Sequence, residues 1–150
     1  MDINHHAPVV AHDQIVIDAS PQQVWAILTD IDAWPAWQPG VSKAELLGAL
    51  QPGSVFRWRA QGLGITSTLQ DVEPARRISW TGEMIGTHAK HVWTLTPQGT
   101  GTLVETTESF EGWLARPLKG WMQRMLENTL RSGLAALRQR VEGRPAGSID

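Results

Sequence analysis

Residues 14 to 41 read QIVIDASPQQVWAILTDIDAWPAWQPGV, and the pattern changes inside this stretch set the fold. QIVID (14 to 18) alternates and is rich in β-branched residues, which suits a strand. Ser20 followed by Pro21 marks a helix start, because a serine oxygen can accept from the first free N–H groups and proline fits the first turn. The predicted helix, PQQVWAILTD, carries Val24, Trp25, Ile27 and Leu28 on one side. A second short turn, IDAWPAW, runs into Pro39-Gly40, which stops it. Pro35 and Pro39 stiffen this segment, and Trp37 is expected to be the more buried of its two indoles, with Trp34 nearer the surface.

From 42 to 112 the helical period gives way to six strand-like runs separated by turn signals: SKAELLG, SVFRWRAQ, ITSTLQDV, RRISWTGEM, THAKHVWTLT and TLVETTESFEG. Short connections between consecutive strands imply an antiparallel meander. After Gly112 the helical period returns. Leu114, Leu118, Trp121, Met122, Met125, Leu126, Leu130, Leu134, Leu137 and Val141 form one stripe, with Arg116, Lys119, Arg124, Arg131, Arg138 and Arg140 largely off it. The expected class is α+β, a seven-stranded antiparallel sheet wrapped around one long C-terminal helix, with two short helices between strands 1 and 2. Residues 1–13 read as a flexible arm, 14–142 as one domain and 143–150 as a disordered tail.

Three motifs and the long final helix carry a resemblance. IVIDASPQQVWAILTDIDAWPAWQPGV at the front, PARRISWTG in the middle and HVWTLTPQGTGTLVETTESFEG before the helix occur in an order that resembles the START-like, or SRPBCC, superfamily. The branch they resemble is polyketide cyclase/dehydrase and lipid transport, over about residues 14 to 142. The resemblance implies a helix-grip fold with a deep cavity under the long helix. It does not imply one reaction, since binders, cyclases, dehydratase-like enzymes and co-chaperone-like proteins share that scaffold.

Composition narrows the partners. The 150 residues include 15 acidic and 13 basic ones with no Lys/Arg block, which argues against nucleic acid. Cysteine is absent, so disulfides, thiolate nucleophiles and zinc-thiolate sites are excluded, and no leader-like segment opens the chain; a cytoplasmic protein is expected. No apolar run approaches the roughly 20 residues that cross a bilayer, so stable membrane insertion is not expected. The apolar stripe of the final helix should be occupied by the sheet, leaving little for docking on a membrane surface. His88 and His91 fall on opposite faces of a strand, so no metal site is expected, and no motif calls for a cofactor. Eight tryptophans with no tyrosine suit a cavity whose walls are part apolar and part polar.

Strand alternation selects the residues facing that cavity. The inward set is Phe56, Trp58, Trp80, Met84, Trp93, Thr106 and Phe110 from the sheet, joined by Met122, Met125 and Leu126 from the helix. The last strand has apolar residues in both parities; turning Phe110 inward also turns Glu108 inward, beside His91 on the neighbouring strand. A one-residue slip would present Glu105 instead. His91 and Glu108 are therefore the candidate catalytic pair, and equally a polar anchor for one end of a ligand.

The principal expectation is a monomer or weak homodimer that binds a hydrophobic or aromatic small molecule, of lipid, polyketide-like or isoprenoid type. The alternative is a cyclase or dehydratase using His91 and Glu108, and a third reading is a co-chaperone-like interaction module.

Overall fold

A computed structural model describes residues 1–143. Strand β1 (Val9–Ile17) leads into helix α1 (Pro21–Leu28) and a 3₁₀ helix (Ile31–Ala36). Strands β2 (Val41–Leu47), β3 (Val55–Ala60), β4 (Leu63–Glu73), β5 (Arg77–Met84), β6 (Thr87–Gln98) and β7 (Gly101–Glu111) follow, and helix α2 (Lys119–Glu142) closes the chain. All pairings are antiparallel, in the order β1-β7-β6-β5-β4-β3-β2. The predicted helix-grip architecture is present in full.

Local chemistry accounts for the first hand-over. The Ser20 side chain accepts from the Gln23 N–H, and the Gln23 side chain accepts from the Ser20 N–H, so the α1 terminus is closed by a reciprocal capping box. At the other end of the chain, Gly143 takes a left-handed φ of 72° and terminates α2. The rest of the expected disordered tail lies outside the described residues.

Two expectations about the N-terminal half are corrected. Residues 1–13 are not a loose arm. β1 begins at Val9, paired with Phe110, and keeps its inward alternation through Val9, Ala11, Ile15 and Ile17. Asp13 occupies an inward-parity position and breaks the apolar pattern, which hid the first half of the strand. Ahead of it, Ile3 is buried, Asn4 bonds Ser109 and Glu111, and the N-terminal ammonium lies 2.7 Å from Asp71. The first residues thus strap the side of the sheet opposite α2.

The second correction concerns the two indoles. Trp34 is the buried one, at 1% exposure, and Trp37 is only partly buried. The segment is a 3₁₀ helix with Pro35 inside it, and Trp37 ends it at φ −139°, outside the helical range. Trp34 therefore points into the sheet, where it lies in edge-to-face contact with Phe56 (5.5 Å) and Trp58 (5.2 Å). Its Nε1–H donates to the Leu28 carbonyl at 3.0 Å, which satisfies the one polar atom of a buried ring.

The core has two parts. One gathers α1, the 3₁₀ helix and the C-terminal half of α2, through Leu134 and Leu137, against Phe56, Trp80 and Trp93. The other gathers the N-terminal half of α2, through Met122, Leu126 and Leu130, against Val9, Ala89 and Phe110. The α2 stripe is shorter than its sequence period suggested. Leu114 and Leu118 precede the helix in an irregular segment, and Trp121 is exposed. No described helix is long and apolar enough to cross a membrane.

Trp34→Ala should cost about 3–5 kcal/mol of stability, as large aromatic truncations in packed cores do. Trp37→Ala should cost clearly less. Chemical denaturation of the two variants beside the parent checks the order, and a greater loss for Trp37→Ala would overturn the assignment.

Candidate functional site

Where the two parts of the core meet, side chains from the sheet and α2 leave a cavity of about 80 Å³. Trp58, Ile65, Trp80, Met84, Ala89 and Phe110 line it from the sheet, and Met125, Leu126 and Thr129 from α2. Gln61 and Leu63, at the β3–β4 turn, stand at its edge. Glu108 is the one ionisable residue in this wall. The volume is below the roughly 300 Å³ typical of small-molecule pockets, so a larger occupant has to displace side chains. Met84 and Met125 are suited to that, being unbranched and polarisable.

The residues expected inward separate into two groups. Trp58, Trp80, Met84, Glu108, Phe110, Met125 and Leu126 line the cavity. Phe56, Trp93 and Met122 are buried in the surrounding core, with His91 and Thr106 behind the wall. Sequence reading missed Gln61, Leu63, Ile65, Ser67 and Thr129. Ile65, Ser67 and Leu69 share one parity, so alternation in ITSTLQDV could have found the first two. Ser67 accepts the Trp58 Nε1–H at 3.0 Å, which makes a hydroxyl compatible with this wall. Gln61 carried no comparable signal, because its place depends on a turn with φ of 53°.

β6 and β7 pair with His91 directly opposite Glu108, the register in which Phe110 faces inward. His91 Nε2 is 2.7 Å from Thr106 Oγ1, and both residues are buried. His91 Nδ1 lies 3.4 Å from Glu108 Oε1 without forming a hydrogen bond, and neither it nor Trp93 Nε1 has a partner among the described residues. The imidazole is held between indoles, with ring centroids 5.0 Å from Trp80 and 5.4 Å from Trp93.

Burial governs the charge of this pair. Desolvation pushes the Glu108 carboxyl up to about 8 and the His91 imidazole down to about 3. The glutamate side chain retains 12% of its surface, directed at the cavity, so its carboxyl borders the space an occupant would fill. Both groups are neutral near pH 7. A protonated Glu108 offers one O–H donor, and Nδ1 of neutral His91 is a hydrogen-bond donor or acceptor according to its tautomer. Among the described residues no cluster of three or more His, Cys, Asp or Glu could hold a metal ion.

An antiparallel sheet gripping a long helix over an apolar cavity with one carboxyl in its wall describes a helix-grip fold. The polyketide cyclase/dehydrase and lipid transport family matches residues 8–142, and the chain belongs to it. No curated protein sequence matches the chain. Among solved structures, the Zhui aromatase/cyclase from Streptomyces sp. R1128 is similar at 20% identity and TM-score 0.78, over 93% of this chain and 98% of that one. A START superfamily protein from Mycobacterium smegmatis is similar at 22% identity and TM-score 0.75, over 89% and 97%. A hypothetical protein from Helicobacter pylori has TM-score 0.82 at 16% identity, over 93% and 91%. At these identities the likeness is one of fold.

The two titrations set opposite limits on stability. For Glu108 the folded-state pKa is raised, so its contribution is fully present below about pH 4.5 and is lost as pH rises towards 8. For His91 the folded-state pKa is lowered, so its contribution is present above about pH 6.5 and is lost as pH falls towards 3. Stability should therefore be highest where the two windows overlap, between about pH 4.5 and pH 6.5, and decline on both sides. Glu108→Gln should flatten the alkaline decline, gaining on the parent by a few kcal/mol between about pH 5 and pH 9. Denaturation across that range checks it; parallel profiles for parent and variant would refute the burial argument.

Proposed function

We propose that this protein binds an apolar or aromatic small molecule, of lipid, polyketide-like or isoprenoid type, between the sheet and α2. Glu108 anchors the ligand by donating its carboxyl proton to a carbonyl, ether or phenolic oxygen. The observation that carries this reading is the single neutral carboxyl in a wall otherwise made of indole, phenyl, aliphatic and thioether groups with a few uncharged polar ones. An anionic ligand head would be repelled once Glu108 ionises and would lack a cationic partner in this wall. A neutral acceptor fits it. Family membership supports the same reading, as does a helix-grip sheet like that of the Mycobacterium smegmatis START protein.

A second reading, proton transfer by His91 and Glu108 in a cyclase or dehydratase, draws on their separation of 3.4 Å and on the neutral state of both groups. Neutral Glu108 would supply a proton to a developing alkoxide or enolate, with His91 behind it positioning the carboxyl, which could contribute about 10²–10⁴ in rate. Folding a flexible substrate against the indoles would supply the remainder. The aromatase/cyclase of similar fold gives this reading its motivation.

Tryptophan quenching and native mass spectrometry with neutral aromatic ketones, long-chain alcohols and matched carboxylates test the binding reading. Neutral compounds should bind and carboxylates should bind about tenfold or more weakly, a difference Glu108→Ala should reduce. Absence of quenching or bound mass across the panel would overturn it. For the enzymatic reading, His91→Ala and Glu108→Gln should abolish conversion of a polyketide-like substrate while leaving its binding within a fewfold. Full turnover by both variants would exclude the pair as catalysts.

A further inference from the structure

Thr106 and Glu108 stand two apart on β7 and therefore share its inner face. His91 pairs with Glu108 across β6 and β7, so its ring meets one of these side chains at each nitrogen. Nε2 lies 2.7 Å from Thr106 Oγ1, and Nδ1 lies 3.4 Å from Glu108 Oε1. Trp80 and Trp93 flank the ring, all three are buried, and packing holds the imidazole in this orientation.

Counting donors and acceptors settles which nitrogen carries the proton. Thr106 is fully buried, and among the described residues its hydroxyl bonds His91 alone. Its neighbours across the sheet are Asp13 on β1 and Trp93 on β6. Asp13 accepts the Gln14 N–H instead, and an indole nitrogen only donates. His91 Nε2 is thus the one acceptor the threonine proton has. If Nε2 carried the ring proton, the hydroxyl proton would be buried without an acceptor, which costs its full desolvation. If Nδ1 carries it, the hydroxyl donates to Nε2 and every proton of the cluster has a direction. Nδ1–H then faces Glu108 Oε1, across a gap that a small turn of the carboxyl closes. A neutral carboxyl facing an N–H donor through one oxygen keeps its own proton on the other.

We propose that Thr106 is a positioning residue that sets what the cavity recognises: its hydroxyl donates to His91 Nε2 and holds the imidazole in the Nδ1–H form, which leaves the Glu108 proton on Oε2, for a ligand that accepts a hydrogen bond. With the opposite tautomer, Glu108 would give its proton to Nδ1 and show the cavity a carbonyl oxygen, which recognises donors. Thr106 lies behind the cavity wall and touches no occupant, yet it selects aryl ketones and ethers over N–H heteroarenes. The inference deepens the binding reading and rests on it for the ligand, whereas the tautomer belongs to the free protein.

Nitrogen NMR of the imidazole rings, on ligand-free protein with isotope-labelled histidine near neutral pH, reads the tautomer directly. Of the five histidines, His91 should show a protonated, pyrrole-type Nδ1 and a pyridine-type Nε2, in the parent and in Thr106→Ser alike. Thr106→Val keeps the side-chain shape without the donor, so there the Nε2–H form should rise to a comparable population or more. Thr106→Ala gives the same readout should the valine variant not fold. An Nε2–H parent, or a tautomer unchanged when the hydroxyl is removed, overturns the proposal; a merely structural role for Thr106 would move the melting temperature and leave the tautomer alone. Native mass spectrometry with fluorenone, an acceptor, and carbazole, a donor on the same tricyclic frame, reads the consequence. The ketone should be preferred by about tenfold in the parent and in Thr106→Ser, and by about threefold or less in Thr106→Val. Preference of the parent for carbazole also overturns the proposal. Binding of neither compound would count against the ligand reading, while the ring signals still decide the role of Thr106.

Discussion

One helix cannot cover seven strands, and this mismatch organises the molecule. A helix with its side chains is about 10–12 Å across, whereas seven strands spaced by about 4.8 Å span roughly 29 Å. The sheet must curl around the helix, and the remaining inner surface must be covered by something else. At one end α1 and the 3₁₀ helix do this, with Trp34 as the principal filling against Phe56, Trp58 and Trp80. Towards the β3–β4 turn no further element is present among the described residues, and the space between the two parts of the core becomes the cavity.

The same mismatch shapes the electrostatics. A polar pair in the interior of a fully filled core would have to satisfy itself, yet His91 Nδ1 stays unpartnered 3.4 Å from Glu108. The indoles around the pair remove water, and that alone drives both groups to their neutral forms. Loss of solvation thus converts two residue types that are ordinarily ionic or half-ionic into a neutral carboxyl donor and a neutral imidazole beside an apolar space. The chemistry is a consequence of where the sheet leaves room.

Much of this was legible in the chain. The capping serine of α1, the six-strand meander and the burial of Met122, Leu126, Leu130, Leu134 and Leu137 follow from local periodicity. The facing of His91 and Glu108 also followed, because the cost of exposing Phe110 selects between two registers of a period-two strand. The failures have equally specific causes. Asp13 at an inward-parity position concealed the start of β1, and the 3₁₀ geometry after Asp30 exchanged the roles of Trp34 and Trp37. Trp121 fell on an apolar helical stripe yet meets no sheet, because the covered part of α2 is narrower than its sequence period.

Sequence by itself determined which residues could share a face, since periods of 2.0 and 3.6 are properties of the local backbone. It thereby determined the order of elements, the sheet's inner surface and the candidate pair. Tertiary structure alone decided which of those inward residues border empty space and which are packed, and which apolar residues remain in solvent around its edge. Those outcomes depend on how far the sheet curls and where α2 crosses it, distances set between elements far apart in the chain. No local pattern encodes them.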